Sequence, residues 1–150
     1  MRGVLIGVVG AVVVLGVAGA VAVPEAKEWF DGRHEQTSSY ATGKKAKEER
    51  ASVPRWLPDD AASVEYAMRT TGGERILKAT LHDARLPARC EPLHGRKAPA
   101  PEISASWFPS GASDGAQGRC GSYYVSLEKD TLYAWQTHDD WVRDNRDPAR

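Results

Sequence analysis

Cysteine is scarce in this chain: two in 150 residues, Cys90 and Cys120. No CxxC or HxxxH pattern occurs, so nothing in the spacing builds a zinc site, and no metal or cofactor is expected. Isoleucine is nearly absent (three) and asparagine occurs once, against abundant Ala, Gly, Arg and Val. That is the composition of a GC-rich genome and carries no mechanism. Net charge is missing too. Twenty Lys and Arg balance twenty Asp and Glu, which leaves no field that would collect polyanions, so nucleic acid is not an expected partner. A P-loop and a dinucleotide fingerprint are also missing.

What is present begins with "GVLIGVVGAVVVLGVAGAVAV". From Gly3 to Val23 no residue is charged or polar, and Pro24 ends the run. As a helix such a run spans roughly 30 Å, the hydrocarbon thickness of a bilayer. Two readings are open. A secretory signal peptide would use Arg2 as its charged start and "AVA" at Ala20 to Ala22 as its cleavage site. An uncleaved anchor fits the length better, since signal-peptide cores run to about 7 to 15 residues. No cysteine flanks the run for lipidation. Arg2 on one side and Lys27, Arg33, Lys44 and Lys45 on the other leave the loop-charge rule undecided. Orientation must come from the cysteines.

Cys90 and Cys120 lie thirty positions apart. A nucleophilic cysteine would need a base, and His82, His94 or His138 is available in principle. An even pair behind an export signal is more simply a disulfide. Closing that loop would stabilise a small domain by roughly 3.5 kcal/mol in the chain-entropy model. Disulfides persist outside the cytoplasm. The pair therefore predicts a domain on the outer side of the membrane, or a secreted one if the N-terminal segment is cleaved.

Four segments follow: residues 1–23 as transmembrane helix or signal anchor, 24–53 as a polar charged stalk, 54–141 as an extracytoplasmic antiparallel β domain, and 142–150 as a frayed tail. Trp29 and Phe30 stand where an interfacial aromatic belt would stand. Within the stalk, Lys44 to Ala51 is a helical patch that Ser52-Val53-Pro54 ends. The fold class expected is mainly β, with α+β as the alternative: a small disulfide-stapled antiparallel sheet of about five strands. In "SVEYAMRTTGGERILKATL" a two-residue turn at Gly72-Gly73 places Met68 opposite Leu77, Tyr66 opposite Ala79 and Val64 opposite Leu81. In "SYYVSLEKDTLYAWQTH" a turn at Lys129-Asp130 places Leu127 opposite Leu132, Val125 opposite Ala134, and Tyr124 opposite Trp135. Both faces of that second hairpin are partly apolar, so it should be central or covered on both sides. "EISASWF", Glu102 to Phe108, reads as the fifth strand between a proline-rich stretch and a Gly/Ser loop.

Three acidic groups could carry chemistry. Asp59-Asp60 follow a proline and read as turn or cap residues. His138, Asp139 and Asp140 stand together at a strand end, and His82-Asp83 marks another. None forms a catalytic or metal set on spacing alone. Seven of the twelve aromatics fall between Trp107 and Trp141, and Tyr124, Tyr133 and Trp135 share one hairpin face. With Trp107 they form a candidate binding face, since rigid aromatics suit protein or glycan recognition. The bland alternative is a second packed face under loops.

The stretches "RWLPDDA", "RTTGGERIL", "SWFP", a following cysteine and "LYAW" together resemble a family of small uncharacterised membrane-associated proteins of actinobacteria, over roughly residues 54–136. The resemblance implies a membrane address and no activity. The reading that results is a membrane-anchored extracytoplasmic binding or interaction module, with an envelope protein or glycan as partner. The alternatives are a small envelope hydrolase using Asp59, Asp60 or the His138 group, and an accessory subunit of a larger membrane protein. For the last, Gly3/Gly7 is the only GxxxG spacing within the apolar run.

Overall fold

Seven strands pair into one antiparallel sheet over residues 34–146, the part of the chain that the computed structural model describes. In chain order the elements are β1 (Glu35–Thr42), α1 (Gly43–Glu49), β2 (Ala62–Arg69), β3 (Arg75–Thr80), β4 (Glu91–Pro92), β5 (Gly118–Cys120), β6 (Tyr123–Glu128), β7 (Thr131–Gln136) and α2 (His138–Arg146). Across the sheet they run β1-β2-β3-β7-β6-β5-β4. Among the described residues no helix is long and apolar enough to cross a membrane. The apolar run at residues 1–23 and the aromatics Trp29 and Phe30 lie outside the described residues.

The second hairpin holds the register that alternation predicts. Leu127 faces Leu132, Val125 faces Ala134 and Tyr124 faces Trp135, and Lys129 takes the positive φ that a primed turn needs (φ 56°). It is covered on both sides, as its two apolar faces require. Leu132, Ala134, Tyr123 and Val125 join Val64, Tyr66, Leu77, Ala79 and Leu81 in a first core. Ala46 of α1 and the turns that carry Val53, Leu57 and Ala61 close over that face. Trp135, Ile76 and Ala67 form a second core on the other face under Ile103, Phe108 and Ala112.

The first hairpin forms with a different register. Tyr66 faces Leu77, not Ala79, and Arg69 N–H donates to the Glu74 carbonyl at 3.0 Å across a four-residue loop. A slide of two residues keeps every side chain on its expected face. The reason lies in Gly73. Its N–H donates to His138 Nδ1 at 3.1 Å, and its carbonyl accepts from Arg75 Nη1 at 2.7 Å and Gln136 Nε2 at 2.6 Å. A Cβ on Gly73 would fall inside the Trp141 side chain. The glycine is there for close approach by α2, and the turn does not use its conformational freedom.

Further expectations are corrected. Glu102 to Phe108 is not a strand. Pro99, Pro101 and Pro109 remove ladder donors around it, and a turn from Phe108 N–H to the Ala105 carbonyl (3.0 Å) folds it over the second core. The count of strands is seven because β1 and the short β4–β5 pair add to the two hairpins. Nor is residues 24–53 a stalk throughout. From Glu35 onward the segment belongs to the same compact unit as the sheet. β1 pairs with β2 along its whole length (Glu35 opposite Arg69, Thr42 opposite Ala62). An edge strand needs few apolar residues, so its polar sequence concealed it. Thr42 then caps α1, accepting from Lys45 N–H at 3.1 Å. At the other end α2 extends to Arg146, so residues 142–146 of the expected tail are helix.

Candidate functional site

The four residues of the candidate binding face do converge, but unequally. Tyr124 and Trp135 lie 6.0 Å apart, Phe108 sits edge-on to Tyr133 at 5.6 Å and to Trp135 at 6.3 Å, and Trp107 packs on Phe108 at 6.0 Å. Trp135 is fully buried, and its Nε1–H donates to the Pro99 carbonyl at 2.8 Å. It is a core residue. Solvent reaches only parts of Trp107, Tyr124 and Tyr133. The face also gains a member that sequence alone gave no sign of. The Arg119 guanidinium stands 5.2 Å from the centre of the Tyr124 ring, because β5 pairs Arg119 directly with Tyr124.

The acidic groups sit in separate surroundings. Asp59 pairs with Lys47 at 2.6 Å, and that lysine also donates to the Leu57 carbonyl. The hydrogen bond from Lys47, and then its charge, hold the Asp59 carboxyl below its usual range. Asp60 is exposed. Asp83 accepts from Arg85 N–H at 3.3 Å in a local turn just past β3, as a strand-end marker would.

"THDDW" is the start of α2. Thr137 Oγ1 accepts from Asp140 N–H at 3.2 Å and donates to Asp140 Oδ2 at 2.6 Å, a reciprocal cap. Asp140 Oδ1 accepts from Arg119 at 2.9 Å and from Arg143 at 3.2 Å. With both oxygens engaged and the residue buried, this carboxylate docks the helix. His138 Nδ1 is occupied by Gly73 N–H and lies 3.9 Å from Glu74 Oε2, while His138 N–H donates to Glu102 Oε2 at 2.8 Å. Asp139 is exposed. Among the described residues no three His, Cys, Asp or Glu side chains gather where they could hold a metal ion.

Two short motif spellings also fall in the wrong places for catalysis. Gly111-Ala112-Ser113-Asp114-Gly115 spells GxSxG, but a nucleophile elbow needs a strand before it and a helix after it. Here Ala112–Gly115 is a 3₁₀ turn in the loop over the second core. Ser126-Leu127-Glu128-Lys129 spells SxxK, yet Ser126 is buried on β6 and Lys129 is exposed in the hairpin turn.

The cysteines are joined. Cys90 and Cys120 form a disulfide, and no free cysteine remains among the described residues. Cys120 is fully buried in the first core. Comparison with protein-family models, with curated proteins and with solved structures gives no match.

Proposed function

We propose that this chain is an extracytoplasmic binding module of a bacterial cell envelope, held at the membrane by its N-terminal apolar segment. The observation that carries this reading is the Cys90–Cys120 bond, with its inner sulfur in the core. A staple of that kind persists where the surroundings are oxidising. The apolar run of residues 3–23 supplies the export signal and the anchor. The contact surface is the solvent-reached part of the second face, where Trp107, Tyr124 and Tyr133 stand beside Arg119. Aromatic rings with an arginine stacked against them suit an envelope protein or glycan. Because Trp135 lies beneath that surface, it supports the rings without meeting the partner.

The reading is tested on intact cells with a membrane-impermeant amine reagent. Lys44, Lys45 and Lys129 are exposed on the domain. They are expected to react before lysis, as an outer-surface protein's lysines do. Labelling of these lysines only after lysis would contradict the reading.

A further inference from the structure

Each cysteine of the disulfide is preceded by an arginine, Arg89 before Cys90 and Arg119 before Cys120. The bond, together with the pairing of Glu91 opposite Arg119 in β4 and β5, brings these two side chains to one pocket. That pocket has a volume of about 350 Å³ and is lined by Arg89, Glu91, Pro92, Arg96, Arg119 and Gly121, within the size range of small-molecule sites. A turn through His94 and Gly95, both at positive φ, folds Arg96 back. Its Nε–H then donates to the Leu93 carbonyl at 3.2 Å, which steadies the guanidinium.

Two observations indicate that the pocket is built for an anion. First, the charges do not cancel locally, although they do over the whole chain. Three guanidinium groups line the pocket, those of Arg89, Arg96 and Arg119, against the single carboxylate of Glu91, while Asp140 meets Arg119 from outside it. Asp140 is shared by Arg119 and Arg143, so it neutralises neither fully. Second, Arg119 Nε is buried and has no hydrogen-bond acceptor among the described residues. A buried N–H left without an acceptor is costly, so this guanidinium keeps hydrogen-bonding capacity beyond its bond to Asp140.

We infer that this pocket binds a phosphate-class oxyanion through Arg89, Arg96 and Arg119, with the disulfide holding the first and last of these in register. Guanidinium forks match phosphate oxygens two at a time, with more directionality than lysine offers. The inference goes beyond the envelope reading and stands or falls separately from it, because it rests on the pocket and not on the compartment.

The test uses the full chain in zwitterionic detergent at constant ionic strength, following the arginine Nε–Hε resonances by NMR. Three probes are titrated: inorganic phosphate, the phosphodiester glycerophosphoglycerol, and acetate. The expected result is a saturable shift of the Arg119 Nε–Hε signal with phosphate or the diester, and weaker binding of acetate. If phosphate binds better than the diester, the natural source is a free phosphate or monoester. If the diester binds at least as well, the source is a lipid headgroup or a phosphate-linked polymer. Arg89 and Arg96 are exposed, so the R89Q/R96Q double variant should fold, shown by an unchanged backbone amide spectrum, and should bind at least tenfold more weakly. Lys129→Gln should bind as the unmodified chain does. A shift that never saturates, acetate binding as tight as phosphate, or undiminished binding by the double variant would overturn the inference.

Discussion

Arg119 Nη2 donates to Asp140 Oδ1 at 2.9 Å, and through that bond the strand carrying Cys120 holds the first turn of α2. The side chain of Asp140 is almost wholly out of water, whereas Arg119 is about one-third exposed (5 % against 31 %). Removing the carboxylate therefore costs the side-chain half of the cap on α2, the bond from the Thr137 hydroxyl, and the partner of a half-buried cation. Asp140→Ala is expected to destabilise the domain by about 2–3 kcal/mol in urea unfolding. The exposed neighbour variant Asp139→Ala should stay within about 0.5 kcal/mol. Equal effects would mean that Asp140 does not dock the helix.

Gly73 and Trp141 make the second junction between helix and sheet. Gly73→Ala is expected to cost about 1–3 kcal/mol by overpacking against the indole. Trp141→Ala alone removes packing, yet combined with Gly73→Ala it should relieve the clash, so the two costs should not add. Strict additivity in a double-mutant cycle would place Trp141 away from Gly73.

Trp135 and Trp107 lie on the same face and should behave differently. Trp135→Ala empties a fully buried position and breaks the bond to Pro99. It should cost about 3–5 kcal/mol. Trp107 is only partly buried, so Trp107→Ala should cost about 1 kcal/mol or less and leave near-ultraviolet circular dichroism otherwise intact. The reverse ranking would restore Trp135 as a contact residue.

Tyr123 predicts the alkaline limit. Burial, then the neighbouring Tyr66, push its phenol well above the ordinary value of 10.0, with Arg75 opposing. Above about pH 10 the unfolded chain loses this proton while the folded chain keeps it. The contribution is therefore complete below that pH and falls as pH rises toward the folded value. The hydroxyl is buried against Tyr66, and no hydrogen bond of good geometry reaches it among the described residues, so Tyr123→Phe should change stability little at pH 7. It should also flatten the loss of stability above pH 10. A loss of more than about 1 kcal/mol at pH 7 would mean the hydroxyl has a partner.

How much of this was legible depended on whether the cause was local. The β6–β7 register could be read because turn and alternation agree within fourteen residues, Tyr123 to Gln136. The faces of β2 and β3 could be read from parity, but not the register, because the reason for Gly73 is an indole far along the chain. β1 was hidden by its polar residues, and the apolar spacing of Ile103, Ala105 and Trp107 imitated a strand that the surrounding prolines prevent. The disulfide was legible from cysteine arithmetic. The arginine pocket was not, since Arg89, Arg96 and Arg119 meet only after β4 and β5 pair.

The central claim is that a disulfide-stapled domain works outside the cytoplasm. Its most direct test is the intact mass of the protein from fractionated native cells, alkylated with and without prior reduction. The expected species resists alkylation until reduced and then takes up two alkyl groups, one at Cys90 and one at Cys120. It should appear in the membrane fraction if the N-terminal segment is kept, or in the medium if it is cleaved. Two thiols freely alkylated without reduction would contradict the claim.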